Sequence, residues 1–186
     1  MDSSTVCHQF LEDFACAHVN DGFMDGDGER MVGCFMNLQG SPLVEVKKLK
    51  DKGNCLFRQI FFDRAAACYD EACKLLGISF GMIGGEDVQS LSDLAVSLNS
   101  NLAACAIKLE EYRAAVELCT MILNKFPRNV KALFRRALAC VKLKRFLEAE
   151  VDLVEALVVE PRNKDVLREL DVVKGHLLIK KNGKRV

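Results

Sequence analysis

The feature that most constrains this chain is a period. Ala115 and Pro127 recur as Ala149 and Pro161, each pair 34 residues apart, and Ala103 recurs as Ala137 at the same spacing. The apolar pattern inside each period predicts an amphipathic helix, a short turn and a second amphipathic helix. Pro closes the unit, because it has no N–H to donate and its ring clashes with the preceding turn. The small residues mark places where two helices must approach closely. An earlier unit starts near residue 46. In it Gly53, Ala65, Tyr69 and Ala72 hold the places later taken by Ala103/Ala137, Ala115/Ala149, Cys119/Leu153 and Ile122/Ala156, and Gly77 replaces the terminal Pro. Ala65 and Ala115 are 50 residues apart, one period plus 16. The excess falls in about 77–92, with Gly81, Gly84 and Gly85, and predicts an enlarged loop that can also lengthen the start of the next helix.

The expected architecture is all-α, a right-handed superhelical stack of three helix-turn-helix repeats at about 46–79, 96–129 and 130–163. A stack of repeats needs an end cap. Residues 164–181, with Val166, Leu167, Leu170, Val173, Leu177 and Leu178, predict a capping helix, and 182–186 form a basic tail. Residues 1–45 read differently. Val6, Phe10 and Phe14 suggest one amphipathic helix, a Gly- and Asp-rich turn follows at 21–28, and the apolar run 31–38 fits helix or strand equally.

Composition narrows the function classes. The chain has 186 residues, half of them hydrophobic and 28% charged, which is a globular composition with enough length for one core. Lys plus Arg equals Asp plus Glu, so bulk charge points to neither nucleic acid nor membrane, and charge-driven recognition must come from local arrangement. Charges interrupt every apolar run before transmembrane length, and the start Met1-Asp2-Ser3-Ser4 lacks the pattern of a secretory signal. A cytoplasmic location, shared or not with the nucleus, is expected. Of nine cysteines, Cys55, Cys68, Cys73, Cys105, Cys119 and Cys140 fall in helical patterns and read as small buried hydrophobes, and no pair has Cys-x-x-Cys spacing.

The polar residues of each unit's first helix carry the functional signal. Lys50 and Asn54 are four apart and share a helix face, as do Lys131 and Arg135, and Asn101 lies on the helix between. Singly, such residues are ordinary solvated surface. Together the segments Leu49-Lys-Asp-Lys-Gly-Asn54, Ser100-Asn-Leu-Ala-Ala-Cys105 and Lys131-Ala-Leu-Phe-Arg135 resemble the dicarboxylate clamp of tetratricopeptide-repeat (TPR) cochaperones. All five positions carry that family's residue types, and the resemblance covers about 46–181. It implies a partner, the acidic C-terminal tail of the seventy- or ninety-kilodalton heat-shock chaperones. It also implies roles. Lys50, Asn54 and Asn101 would take the terminal carboxylate, and Lys131 and Arg135 the Asp side chain and the acid upstream. Ala104, Ile107 and Lys108 would make secondary contacts. The chemistry is sound without the resemblance. A C-terminal Asp presents two carboxylates, amides donate to them without adding charge, and Arg binds them in a bidentate fork.

The expected function is therefore that of a noncatalytic adaptor, needing no cofactor and no metal. The alternative is a repeat scaffold for an unrelated protein partner. Residues 1–45 are too short for a prolyl isomerase domain of roughly 100 residues, the enzyme that accompanies such repeats in many relatives. Other signals are weak. Asp25 and Asp27 begin a calcium-loop pattern, but Arg30 stands where the sharp turn needs Gly. Gly81-x-x-Gly84-Gly85 lacks the Lys of a phosphate loop, and Cys7, His8, Cys16, His18 and Cys34 match no zinc spacing. The three histidines lie outside the repeat core, so a Cys–His nucleophile pair has little support.

Overall fold

The computed structural model describes residues 42–80 and 88–182, and every described element is an α-helix. In chain order these are α1 (Pro42–Arg58), α2 (Phe62–Phe80), α3 (Val88–Lys108), α4 (Tyr112–Lys125), α5 (Val130–Lys142), α6 (Phe146–Val159) and α7 (Lys164–Asn182). Consecutive helices pack as antiparallel pairs, and non-consecutive contacts join α3 to α5 and α5 to α7. Each unit thus stacks on the next chiefly through its second helix against the first helix that follows.

The closely spaced residues sit where the period put them. Ala65, Ala103, Ala115, Ala137 and Ala149 are fully buried, as are Tyr69, Cys119 and Leu153 at the facing positions. One cluster joins α1, α2 and α3 through Val46, Leu49, Leu76 and Leu98, and a second joins α3 to α7 through Leu118, Ile122, Leu133, Leu153 and Val166. Leu102 touches both, so the core is continuous along the stack. Burying one such aliphatic side chain stabilises the fold by roughly 1.5–3 kcal/mol.

The turns within units share one geometry. Ile60, Glu110 and Lys144 all have positive φ, at 68°, 63° and 58°. The next N–H in each case donates back to the helix, from Phe61 to the Leu56 carbonyl, Glu111 to Ala106 and Arg145 to Cys140. These are left-handed helix C-termini of the kind glycine usually makes. The turns between units use Pro differently. Phe126 and Glu160, each preceding a Pro, take φ near −125°, outside the helical region, so the helix stops one residue earlier. Two residues after each Pro, Asn129 accepts from the Ala132 N–H at 3.0 Å, and Asn163 accepts from the Asp165 and Val166 N–H groups at 3.2 Å. Each Asn caps the following helix.

Several expectations need correction. The first helix begins at Pro42, not near 46. Gly77 does not end α2, which continues to Phe80. A helix-interior Gly costs only about 1 kcal/mol relative to Ala and keeps its N–H, so it lacks the stopping power of Pro. Of the expected loop at 77–92, residues 77–80 continue α2 and 88–92 open α3, the lengthened helix start that the sequence allowed, and 81–87 lie outside the described residues. α3 starts at Val88, and its added turns bury Leu91 and Ala95 against the first unit. Cys55 is exposed on α1, although the other five described cysteines are buried. On α7, Val166, Leu170 and Val173 face the core and Leu177 packs against it, but Leu167 and Leu178 are exposed. The Phe146 and His176 rings stack at 4.7 Å, tying α7 to the start of α6. Predicted features within 1–41, 81–87 and 183–186 lie outside the described residues.

Candidate functional site

The three first helices, α1, α3 and α5, bring three of the five sequence-predicted polar residues, Asn54, Asn101 and Arg135, into hydrogen bonds between helices. Asn101 on α3 donates from Nδ2 to Oδ1 of Asn54 on α1 at 3.2 Å. The same Oδ1 accepts from the Tyr69 hydroxyl of α2 at 2.8 Å. With its oxygen held by two donors, the Asn54 amide is fixed in orientation and its own Nδ2 is left to donate elsewhere. Arg135 on α5 donates from its guanidinium to the hydroxyl of Ser100, the residue beside Asn101. Asn54, Asn101 and Arg135 are therefore linked across all three units.

Lys50 and Lys131 each lie one helical turn before these groups, on α1 and α5, half-buried and exposed respectively. Neither forms an ion pair with an acid among the described residues. On α3, Ala104 is half-buried, Lys108 is exposed at the helix end, and Ile107 packs beside Ala106, Ala115 and Ala139.

Electrostatics distinguish Arg135 from its neighbour Arg136. Arg136 makes a bidentate bond to the buried Asp152 of α6, at 2.8 and 2.6 Å, and reaches the Thr120 hydroxyl at 3.2 Å. The hydrogen bond to Asp152 holds the Arg136 guanidinium above its ordinary range. Arg135 has no such partner among the described residues, and burial draws its guanidinium below the ordinary range. The groups near Arg135 that could become anions are Cys105, Cys119 and Tyr69. Burial pushes them up to about 11, about 12 and about 12, so all three are protonated at neutral pH. Arg135 is thus a cation withdrawn from water and compensated only by a hydroxyl. A buried charge without a paired anion is costly, and a ligand carboxylate would relieve that cost.

Two residues in this arrangement were not singled out from the sequence, Tyr69 and Ser100. A signal for Tyr69 exists. A Cβ built on Gly53 would meet the Tyr69 ring at 2.6 Å, so a large ring at 69 requires the smallest residue at 53. The later units use Ala103 with Cys119 and Ala137 with Leu153, a methyl group against a smaller partner. Ser100 gave no signal, because a serine beside an asparagine on a helix is unremarkable surface chemistry.

Among the described residues no group of three or more His, Cys, Asp or Glu is placed to hold a metal, and no helix is long and apolar enough to cross a membrane. No family model matches the chain. The C-terminal TPR-containing domain of a putative FK506-binding protein from Plasmodium falciparum superposes with a TM-score of 0.68 at 23% identity, covering 76% of this chain and 93% of that one. The fold is a TPR fold. The second TPR domain of human RPAP3, solved in complex with the HSP70 peptide SGPTIEEVD, matches this TPR chain at 27% identity and a TM-score of 0.58, over 72% of this chain and 98% of that one. The peptidyl-prolyl cis-trans isomerase PASTICCINO1 of Arabidopsis thaliana is 31% identical over 109 residues, which is 57% of this chain and 16% of that protein. The TPR chain therefore corresponds to a small part of that relative's length.

Proposed function

We propose that this TPR chain is a noncatalytic adaptor that captures the acidic C-terminal peptide of a seventy- or ninety-kilodalton heat-shock chaperone in the groove lined by α1, α3 and α5. In this reading Lys50, Asn54 and Asn101 hold the terminal carboxylate, and Lys131 and Arg135 hold the last Asp side chain and the acid before it. Ala104, Ile107 and Lys108 contact residues further upstream. The observation that carries the reading is Arg135, a withdrawn guanidinium bonded to Ser100 with no acid beside it, in line with the oriented amides of Asn54 and Asn101. Pairing Arg136 with Asp152 while leaving Arg135 without an acid among the described residues makes a place for an anion that those residues do not supply. The TPR neighbour from RPAP3 adds support, since its HSP70 peptide ends in Glu-Glu-Val-Asp. A reducing compartment, the cytosol or the nucleus, suits the free thiols.

The test is fluorescence anisotropy with a labelled peptide ending Glu-Glu-Val-Asp, as free acid and as C-terminal amide. Binding on the order of micromolar, about −8 kcal/mol, is expected for the acid. Amidation removes one of the two carboxylates. Arg135→Ala, confirmed as folded by circular dichroism, is expected to weaken binding by about thirtyfold or more, since truncating one partner of a desolvated charge pair costs roughly 2–5 kcal/mol, and Lys131→Ala, at an exposed position, by less. Equal binding of acid and amide would sink the reading.

A further inference from the structure

The outer face of α6 carries a stripe that neither the fold nor the groove uses. Leu147, Val151, Val154 and Val158 are spaced four, three and four apart and remain 69%, 64%, 47% and 71% exposed. That spacing places all four on one side of a helix, in the pattern of a coiled-coil seam. The opposite side of α6, with Ala149, Leu153 and Ala156, is fully buried against α5 and α7. The repeat itself does not require apolar residues on the outer side. One period earlier the same positions on α4 hold Arg113, Glu117, Thr120 and Asn124, and on α2 they hold Asp63, Ala67, Asp70 and Lys74. Only the third unit turns this face into a continuous aliphatic strip about 17 Å long, at 1.5 Å per residue.

The charges beside the strip define what fits on it. α6 contains no Lys, Arg or His. Glu148 and Glu155 flank the strip on one side and Glu150 on the other, at the places that choose a coiled-coil partner by charge. Glu148 is paired with Arg145, while Glu150 and Glu155 form no ion pair among the described residues. A second copy of the chain would set these glutamates against their own counterparts. Residues 1–41 are also acidic, with Asp2, Glu12, Asp13, Asp21, Asp25, Asp27 and Glu29 against Arg30 alone. An anionic bilayer is disfavoured on the same ground. We infer that the α6 strip is a docking site for an amphipathic helix of another protein, one with an apolar seam flanked by Lys or Arg. A strip of three turns buries less than the ~1,000 Å² of a stable interface, so the contact is transient, with affinity on the order of tens of micromolar.

The test uses the full chain and a labelled synthetic peptide of three heptads, with Leu along the seam and Lys at the flanks, beside a twin with Glu at the flanks. The Lys-flanked peptide is expected to bind about tenfold or more tightly than its twin. The double variant Val151→Ser/Val154→Ser, which changes only exposed side chains, is expected to lower that affinity at least about fivefold. Glu150→Lys/Glu155→Lys is expected to reverse the preference between the peptides. Groove binding of the Glu-Glu-Val-Asp peptide should be unchanged in both double variants, and Arg135→Ala should leave the heptad peptide bound, so the two sites fail or succeed separately. Equal binding of the two heptad peptides, or binding indifferent to the serine variant, would overturn the inference. So would a dimer in sedimentation velocity that Val151→Ser/Val154→Ser dissolves, since the occupant would then be a second copy.

Discussion

At residue 53 a hydrogen stands where the next two units carry a methyl group. The space goes to the Tyr69 ring, whose hydroxyl fixes the Asn54 amide. Gly53→Ala gains about 1 kcal/mol of helix propensity but drives a methyl group into a buried ring. Overpacking costs about 1–3 kcal/mol, so the net expectation is a loss of up to about 2 kcal/mol, visible as a lower urea midpoint. Adding Tyr69→Leu, which copies the Ala137–Leu153 pair, should recover stability without restoring peptide affinity, because the hydroxyl is gone. At this scale the sequence named the residues of the candidate site, of which Asn54, Asn101 and Arg135 enter hydrogen bonds between helices. Lys50, Asn54, Asn101, Lys131 and Arg135 were named because together they resemble the dicarboxylate clamp of TPR cochaperones, since singly each is ordinary helix surface. What could not be read was how they are held. The Tyr69 hydroxyl comes from a second helix, and the Ser100 contact spans 35 positions of chain, so neither appears in any local pattern.

At the scale of elements, the long-range period was plain and the stops were not. The Pro residues act through Phe126 and Glu160, a local steric effect that sequence displays directly. The turns at Ile60, Glu110 and Lys144 were invisible, because their left-handed backbone is occupied by residues that carry a Cβ. Such a conformation costs an L-residue roughly 1–2 kcal/mol, and most for a β-branched one. Replacing each by Gly relieves that strain at some cost in unfolded-chain entropy. Stabilisation of about 0.5–1 kcal/mol is expected, largest for Ile60→Gly, and chemical denaturation of the three variants would rank them. Gly77 misled in the opposite sense. It looked like a stop, but the burial of Leu76 beside it and the added turns of α3 make the helix the better state.

For the whole molecule, the stack is sealed by groups that must stay protonated. Cys105, Cys119 and Tyr69 lose their protons less readily in the folded chain than in the unfolded one, chiefly because they are buried. Stability from this source is complete below the unfolded values, near 9 for the thiols and 10 for the phenol, and is lost as pH rises through the folded values of about 11 to 12. Urea midpoints are therefore expected to hold steady to about pH 9 and then fall, and Tyr69→Phe should remove the part between about pH 10 and 12, on the order of 2–3 kcal/mol. A midpoint flat to pH 12 would contradict this. The unmatched guanidinium of Arg135 has a practical side as well. A cation set among amide donors does not distinguish a peptide from any other small anion that reaches it. Under the proposed function, phosphate, sulfate or citrate in a storage buffer becomes a competitor, so affinities measured in phosphate and in a zwitterionic buffer of equal ionic strength should differ. The gap between them would gauge how selectively the proposed site chooses its anion.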